Sequence, residues 1–302
     1  MTYSLVVMAA GIGSRYGSFK QIDGIGPNNE FLLEYSIYDA IKAGFNDIVL
    51  IVNKNIKDHL SKLQSKKTFS HVTFRCIEQG PLNTTNFGIK PFDREKPWGT
   101  GHIITLLDGI VNNPFCIINA DDFYGLDSYK IIYNNIINSD NSTSKYFMIG
   151  YNIENTLSDN GSVSRGLCQV DEDNNLIKIE EKLDIKRINN TITSKDLRNN
   201  TEETIDNNAI VSMNLWGFNP TIFPLFENSL KQFLDNKNTD LQKDEFYIPQ
   251  TINELLQNKL INVQVNCTPD QWYGVTYKED KALLKKQIMS LITKGNYPGH
   301  IH

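Results

Sequence analysis

The sequence predicts an α/β fold, in which a mostly parallel sheet is covered by helices on both faces. In the first half of the 302-residue chain, short apolar runs alternate with segments of helical periodicity. This alternation is typical of strand–helix–strand units with right-handed crossovers. The second half adds strands and helices in a less regular order. We therefore expect a Rossmann-like, three-layer architecture with a C-terminal mixed α/β extension.

The elements predicted for the first half follow one another in regular order. The strands are Leu5–Met8, Asp47–Val52, His71–Cys76, Phe115–Ile118 and Tyr146–Tyr151. The helices are Leu32–Ala43, Ile56–Leu63, Gly101–Val111 and Tyr129–Ile137. Ligands of such sheets bind beyond the carboxyl ends of the strands. The loops after the first and fourth of these strands are therefore expected to share one edge.

From about residue 152 the pattern predicts a mixed extension of the sheet. Val163–Val170 and Leu176–Glu180 are expected to form a hairpin around Asp173-Asn174-Asn175. The asparagine-rich segment Asn189–Asn208 is interpreted as an exposed or mobile loop. The remaining elements are one strand and three helices, at Ser212–Phe218, Pro220–Leu234, Pro249–Leu256 and Lys278–Thr293. We expect residues 1–302 to form one domain, with halves 1–151 and 152–302.

Composition narrows the class of protein. The net charge of −5 argues against a general nucleic-acid binder, which would present a basic face. No apolar run is long enough to span a bilayer, and the N-terminus lacks the features of a signal peptide. The four cysteines have no CxxC spacing and are expected to be buried and reduced. These features indicate a cytoplasmic protein. The cysteines are Cys76, Cys116, Cys168 and Cys267.

The loop after the first strand, residues 8–20, is the most informative segment of the chain. It carries two glycines, Gly11 and Gly13, followed by two cations, Arg15 and Lys20. Glycines let backbone N–H groups approach a phosphate closely, and the cations can neutralise charge on a reacting phosphate ester. The loop therefore predicts a site for a nucleoside triphosphate.

Other interpretations of this loop have weaker support. A dinucleotide-binding loop has its third glycine three residues after the second, whereas Gly17 comes one position late. A Walker loop requires Gly-Lys-Ser/Thr, which the segment lacks. A glycine-rich turn with two solvated cations remains an alternative when the loop is considered alone.

An acidic pair, Asp121 and Asp122, follows the apolar run Phe115–Ile118. A strand in this position delivers carboxylates to the edge that also carries the glycine loop. Mg²⁺ takes one or two carboxylates and completes its shell with waters and phosphate oxygens. The pair therefore predicts a magnesium site. A helix cap or a turn is the alternative for these two residues considered alone.

The glycine loop resembles the signature of the nucleotidyltransferases that act on sugar 1-phosphates. The resemblance is carried by Ala9, Ala10, Gly11, Gly13, Ser14, Arg15 and Lys20. It extends over about residues 3–280 and implies the nucleotide-diphospho-sugar transferase topology. It also implies that the alanines and glycines of the loop bind the nucleotide, that Arg15 and Lys20 are catalytic, and that Asp121 is catalytic as the metal ligand. The spacing from Arg15 to Lys20 is shorter than is usual in the family.

Two further segments resemble those that contact the base in this family. Gly99 and Thr100 lie in a Gly-Thr-Gly-His segment similar to that of N-acetylglucosamine-1-phosphate uridylyltransferases, which implies UTP as the donor. Gln79 resembles the base-reading glutamine of the family. His102 is interpreted as structural, because phosphoryl-type transfer relies on positioning and charge more than on a proton shuttle.

The resemblance assigns the acceptor to the second half of the chain. Glu181 and Lys182 resemble the Glu-Lys element of the family, and Asn214 could contact a sugar hydroxyl. The chain departs from the family at Gly274, where many members have an aspartate that is a second metal ligand. Three groups could replace that aspartate: the substrate phosphates, Asp122 and Asp270.

Three functions are compatible with these residues. The first is Mg²⁺-dependent transfer from a nucleoside triphosphate, with UTP favoured, to a sugar 1-phosphate, giving a nucleotide-sugar and pyrophosphate. The second is cytidylyl transfer from CTP to a phosphorylated alcohol, amine or amino acid. The third is a non-catalytic protein that binds nucleotide-sugars. The expected partners are a nucleoside triphosphate and a small phosphorylated acceptor, without nucleic acid or membrane. A homo-oligomer remains open.

Overall fold

A parallel sheet forms the centre of the first half of the protein. The structure is a computed structural model that describes residues 1–11, 22–82, 84–90, 92, 94, 96–140, 143–158, 160–196, 201–274 and 280–302. Strand β1 (Ser4–Met8) pairs in parallel with β2 (Asp47–Val52) on one side and with β4 (Phe115–Asn119) on the other. Strand β3 (Thr73–Glu78) pairs in parallel with β2. Every residue of β1 and β2 is buried, as expected for apolar runs with helices on both faces.

Helices cover both faces of this sheet, so the fold has three layers. The side chains of β1 alternate between two cores: Leu5 and Val7 belong to one, and Val6 and Met8 to the other. The first core is closed by α1 (Leu32–Ala43), α2 (Lys57–Ser61), α4 (Leu126–Ile137) and α7 (Asp280–Thr293). The second core is closed by α3 (Thr100–Leu106), α5 (Ile222–Asp235) and α6 (Ile248–Gln257).

Strand β11 (Ile210–Phe218) connects the parallel sheet to the rest of the molecule. One of its edges pairs with β6 (Lys145–Asn152). The other edge pairs first with β7 (Val163–Val170) and then with β4. Strand β12 (Asn262–Cys267) lies outside β6 and runs parallel to it. The register of β11 shifts between Ser212 and Trp216, so a bulge lies where β7 and β4 diverge.

The extension continues from β7 as antiparallel strands. It consists of β8 (Leu176–Ile188), β9 (Thr191–Asp196) and β10 (Thr201–Ile205). The interpretation of Asn189–Asn208 as a loop is therefore wrong. The segment alternates β-branched residues with polar ones, and Ile192 pairs with Ile205 on the buried face of the β9–β10 ladder. Alternation of this kind favours a strand.

The α/β architecture and the three-layer arrangement are confirmed, and most predicted elements occur within a few residues of their expected bounds. Strand β12 was missed by the sequence analysis. The expectation that all cysteines are buried is wrong, because Cys76 is half-buried and Cys267 is exposed. Among the described residues, no helix is long and apolar enough to cross a membrane.

Candidate functional site

The ends of β1 and β4 bring two of the predicted segments together. Met8 pairs with Asn119 in the parallel ladder, and the backbone N–H of Ala120 donates to the carbonyl of Met8 at 3.2 Å. Two further hydrogen bonds hold the backbone beyond β1. The Ala9 N–H donates to the Ile51 carbonyl at 2.7 Å, and the Ala10 carbonyl accepts from the side-chain amide of Asn53, just after β2, at 3.0 Å. The start of the glycine loop therefore lies beside the acidic pair.

Strand β5 (Asp122–Phe123) carries the more buried member of the acidic pair. The Asp122 carboxylate accepts hydrogen bonds from the Asn119 amide at 2.8 Å and from the Tyr124 hydroxyl at 3.2 Å. Burial and the neighbouring charge of Asp121 raise the pKa of Asp122 to about 7, against the opposing effect of these hydrogen bonds and of Arg165. Both of these hydrogen bonds reach Asp122 Oδ2. A nearby positive charge would favour the ionised form of this carboxyl group.

Gly274 lies directly opposite Asp122. It belongs to β13 (Tyr273–Gly274), which pairs with β5 in a small antiparallel sheet, with Gly274 opposite Asp122. A Cβ on Gly274 would lie 2.2 Å from the Trp272 ring and 3.0 Å from Asp122 Oδ1. A side chain at position 274 would therefore collide with the indole. The Asp122 carboxylate lies next to the space that such a side chain would occupy.

Asp270, the other carboxylate considered as a replacement, serves a different role. Its Oδ2 accepts from the backbone N–H of Ser128 at 2.8 Å and from the Ser128 hydroxyl at 3.2 Å. Ser128 lies in the first turn of α4, whose N-terminal N–H groups have no partner within the helix. Asp270 therefore caps α4, and it is not among the residues that line the cavity around Asp121 and Asp122.

A polar cavity of about 240 Å³ contains the acidic pair. It brings Asp121 together with Glu181 and Asn214, three residues that are far apart in the sequence. Asn214 has φ +60° and lies in the bulge of β11, where β7 and β4 diverge, which explains how a strand residue comes to line this cavity. The remaining lining residues are Asn119, Asp122, Ser164, Arg165, Gly166, Ser212, Met213, Pro249 and Trp272.

A second, larger cavity adjoins the first. Its volume is about 1000 Å³, and it shares Glu181, Asn214 and Pro249 with the smaller cavity. Thr100 contributes from the start of α3. The rest of its lining consists of Lys178, Ile179, Glu180, Tyr247, Gln250 and Asn253. The two cavities together form a cleft between the parallel sheet and the extension.

The segment around Thr100 is fixed against the start of α6. Gly99 has φ +95°, and a Cβ there would lie 2.5 Å from the carbonyl oxygen of Phe246, so only glycine fits. The Thr100 hydroxyl accepts from the backbone N–H of Ile248 at 3.1 Å. Gln79, at the end of β3, approaches the Gly99 carbonyl at 3.4 Å. These residues meet at one place beside the larger cavity.

His102 is buried behind this segment. Its Nδ1 lies 3.5 Å from Gln79 Nε2, and burial lowers its pKa to about 4. The imidazole is therefore neutral at pH 7.

The two acceptor residues assigned by resemblance differ in their surroundings. Glu181 lines both cavities, and its pKa is raised by burial in spite of the opposing charge of Arg165. Lys182 lines neither cavity. Its ammonium is 2.6 Å from Glu203 and 3.0 Å from Glu180.

Three of the predicted residues, Gly13, Arg15 and Lys20, lie outside the described residues. Conversely, the structure adds Arg165 and Trp272 to the cavity, which the sequence analysis did not assign to the site. A single arginine inside a predicted strand carries no motif, so only the fold reveals its place. The signal that could have found it is its position in a hairpin whose second strand leads directly into the predicted acceptor residues Glu181 and Lys182.

Solved structures with a similar fold include nucleotidyltransferases. Inositol-1-phosphate CTP transferase from T. maritima matches with a TM-score of 0.62 and 14% identity, over 97% of each chain. A Bacillus anthracis protein, provisionally assigned as a glucose-1-phosphate thymidylyltransferase, matches with a TM-score of 0.64 and 12% identity, over 95% of each chain. UDP-glucose pyrophosphorylase in complex with UDP-glucose matches with a TM-score of 0.58 and 15% identity, over 96% of this chain and 99% of its own.

These likenesses show that the chain has the fold which the resemblance implies. Sequence comparison matches the chain to no protein-family model and to no curated protein.

Proposed function

We propose that the protein is a Mg²⁺-dependent nucleotidyltransferase that joins a nucleoside triphosphate, with UTP favoured, to a sugar 1-phosphate. The observation that carries the proposal is the junction of β1 and β4. There the start of the glycine loop lies beside Asn119 and the acidic pair, at the mouth of a polar cleft. This is the place where open α/β sheets bind their ligands, and the matching structures include transferases of this kind.

The reaction needs no nucleophile from the protein. A phosphate oxygen of the acceptor attacks the α-phosphorus, a new P–O bond forms, and the bond to the leaving pyrophosphate breaks with its electron pair. Catalysis then depends on alignment and on neutralising charge in the transition state. We assign the triphosphate to Ala9, Ala10, Gly11 and Gly13, stabilisation of pyrophosphate to Arg15, and contact with the reacting phosphates to Lys20.

The residues present fit a magnesium ion. Asp121 and Asp122 offer hard oxygen ligands in one cavity, and Mg²⁺ takes one or two carboxylates with waters and phosphates. The space that a Cβ on Gly274 would fill lies 3.0 Å from Asp122 Oδ1, and this proximity supports our assignment of Asp122 to the role of the carboxylate missing at 274. When bound, the ion would supply charge neutralisation at the phosphates.

We assign the remaining residues by their place in the cleft. Gln79, Gly99 and Thr100 would contact the base, and Glu181 and Asn214 would contact hydroxyls of the acceptor. Lys182, which the resemblance implies for the acceptor, lines neither cavity, and we leave it out of the proposed site. Residues 1–302 would act as one domain, since β11 pairs with strands from both halves. The cytoplasmic location that the composition indicates is kept as part of the proposal.

Cytidylyl transfer from CTP to a phosphorylated alcohol is the second candidate. It is favoured by the match to inositol-1-phosphate CTP transferase over 97% of each chain. The two candidates differ in donor and acceptor, and both use the same cleft.

Pyrophosphate release tests the proposal. The protein is incubated with Mg²⁺, each of UTP, CTP and dTTP, and a panel of sugar 1-phosphates and polyol phosphates. Turnover with UTP and a sugar 1-phosphate supports the first candidate, and turnover with CTP and a polyol phosphate supports the second. Absence of turnover with every pair contradicts both and favours a non-catalytic nucleotide-sugar-binding protein.

Asp121→Asn provides the matched variant for this assay. We expect a loss of about a hundredfold in rate, since removal of one electrostatic contact to the transition state costs on the order of 3 kcal/mol. The control is Asp127→Asn, the same exchange at a half-exposed carboxylate on α4 that pairs with Lys130. Equal losses in the two variants would argue against a role for Asp121.

A further inference from the structure

Arg165 is the one cation among the described residues that line the smaller cavity. The cavity also contains three carboxylates, those of Asp121, Asp122 and Glu181. Arg165 comes from the middle of β7, and its side chain is 7% exposed. A desolvated cation in such a place is costly unless it has a partner of opposite charge. Its surroundings therefore indicate what it binds.

The guanidinium is held in one orientation by uncharged neighbours. Its Nη1 donates to the carbonyl of Ser164 at 2.8 Å, and its Nη2 donates to the carbonyl of Thr156. Its central carbon lies 4.7 Å from the ring centre of Trp272. The buried Nε has no hydrogen-bond partner among the described residues. Burial lowers the pKa of Arg165 to about 10, so the group remains charged at pH 7. The side chain is thus a cation fixed in one orientation in the wall of the smaller cavity.

Lys182, the cation assigned to the acceptor by resemblance, is engaged elsewhere. It lies opposite Arg165 in the β7–β8 ladder, but its ammonium bonds to Glu203 and Glu180. Both bonds are charge-assisted, and an incoming anion would have to compete with two carboxylates. Arg165 forms no ion pair with a carboxylate of the described residues, although the charges of Asp122, Glu181 and Asp280 act on it.

We propose that Arg165 binds the anionic group of the acceptor, a phosphate monoester, in the smaller cavity. The identity of this anion rests on the proposed function. Because carbonyls and the Trp272 ring already hold the guanidinium, little side-chain freedom is lost when the anion binds. The same cavity places the phosphate near Asp121 and Asp122, where the reaction is proposed to occur. In this chain the acceptor phosphate would therefore be bound by Arg165 of β7, and not by Lys182 of β8.

Kinetics of two variants test the proposal. Arg165→Met keeps an unbranched side chain over Trp272 but removes the charge, and Lys182→Met makes the matched change across the ladder. We expect Arg165→Met to raise the KM for the phosphorylated acceptor about tenfold to a hundredfold, with the KM for the triphosphate unchanged. Lys182→Met should change both constants by no more than about threefold. The reverse pattern would overturn the proposal, as would equal effects on both substrates.

Direct binding of inorganic phosphate separates this proposal from the proposed function. Titration calorimetry without nucleotide should detect phosphate binding to the wild-type protein and a loss of about tenfold or more in Arg165→Met. This loss, in a protein that turns over no acceptor, would retain the anion site and reject the transferase. Equal phosphate affinity in wild type and variant would reject the anion site. If Arg165→Met does not fold, Arg165→Gln, which removes the charge but keeps an amide that can donate to the neighbouring carbonyls, serves in both assays with the same expectation.

Discussion

The parallel sheet and the extension provide functional groups in different ways. In the parallel sheet, β1 and β2 are buried along their whole length, so chemistry is restricted to the loops beyond the strand ends. In the extension, only three of the thirteen residues of β8 are buried, and Glu181 points into the cleft from the middle of the strand. The parallel sheet therefore contributes backbone and loop groups at one edge of the cleft, whereas the extension contributes side chains from the face of a strand.

This difference separates two tasks. A buried strand cannot change its side chains without disturbing a core, so the groups it positions at its end are fixed. A half-exposed strand can exchange the side chains of one face while its ladder is kept. We infer that the parallel sheet defines the type of reaction and that the β7–β8 face defines the acceptor. The same difference in burial should make the two regions contribute unequally to stability.

The largest stability effect is expected in the parallel sheet. Leu50 of β2 is 1% exposed, and Leu50→Ala should lower the free energy of unfolding by about 2–5 kcal/mol through lost burial and the cavity left behind. Ile177 of β8 is 51% exposed, so Ile177→Ala should change it by no more than about 0.5 kcal/mol. Urea unfolding of both variants measures the contrast. Equal losses would show that β8 is packed as tightly as β2.

A buried carboxyl of α1 should make stability depend on pH. Burial raises the pKa of Asp39 to about 7, although the Tyr297 hydroxyl donates to it at 2.6 Å. Between pH 4 and 7 the folded protein keeps this proton and the unfolded chain loses it, so stability falls as pH rises. The slope due to Asp39 is about 1.4 kcal/mol per pH unit.

Asp39→Asn tests this dependence. The amide oxygen can still accept from Tyr297 and does not titrate, so the variant should lose about that slope between pH 4 and 7. Urea unfolding at a series of pH values measures it. A profile identical to that of the wild type would show that Asp39 does not contribute.

Gly99, where the two regions meet, should be intolerant of a side chain. Gly99→Ala combines the unfavourable φ of +95° with a Cβ 2.5 Å from Phe246 O. We expect a loss of roughly 2 kcal/mol or more. The control is Gly109→Ala, where φ is +71° but no atom lies within 4 Å of the new Cβ, and where about 1 kcal/mol is expected. Thermal unfolding compares the two, and equal shifts would exclude the clash.

The smallest effect is expected at the outer strands of the extension. Glu203 of β10 bonds to Lys182 but is about half exposed. Exposed ion pairs contribute about 0–1 kcal/mol, so Glu203→Gln should alter the unfolding free energy by less than that, and less again in high salt. Unfolding at low and high salt measures this. A larger, salt-insensitive loss would show that β10 is integral to the fold.

Much of the parallel region could be predicted from the sequence. Helix α1 and strand β2 have the predicted bounds, Leu32–Ala43 and Asp47–Val52, because a run of apolar or periodic residues is a local signal. Strands β9 and β12 were missed although both alternate apolar or β-branched residues with polar ones. Each is only six residues long and rich in polar side chains, so its alternation is a weak local signal. Each ladder is completed by a neighbouring strand, β8 for β9 and β6 for β12.

The site divides in the same way. The nearness of Ala9 to Asp121 follows from the rule that parallel strands end at one edge, and it could be predicted. The position of Asn214 in a bulge with positive φ could not, because it depends on two strands diverging from β11. The place of Arg165 depends on Trp272, more than a hundred residues later. Contacts of this kind have no signature in a single sequence.

The late position of β11 has a consequence for synthesis on the ribosome. Strands β1 to β4 of the parallel sheet are complete once residue 119 has emerged, yet the outer edge of β4 gains its partner only when residues 210–218 follow. Until then a nascent chain presents an open edge that can pair with another chain. Fragments that stop before residue 210 should therefore aggregate, and co-translational protection of this edge is a requirement that the topology itself imposes.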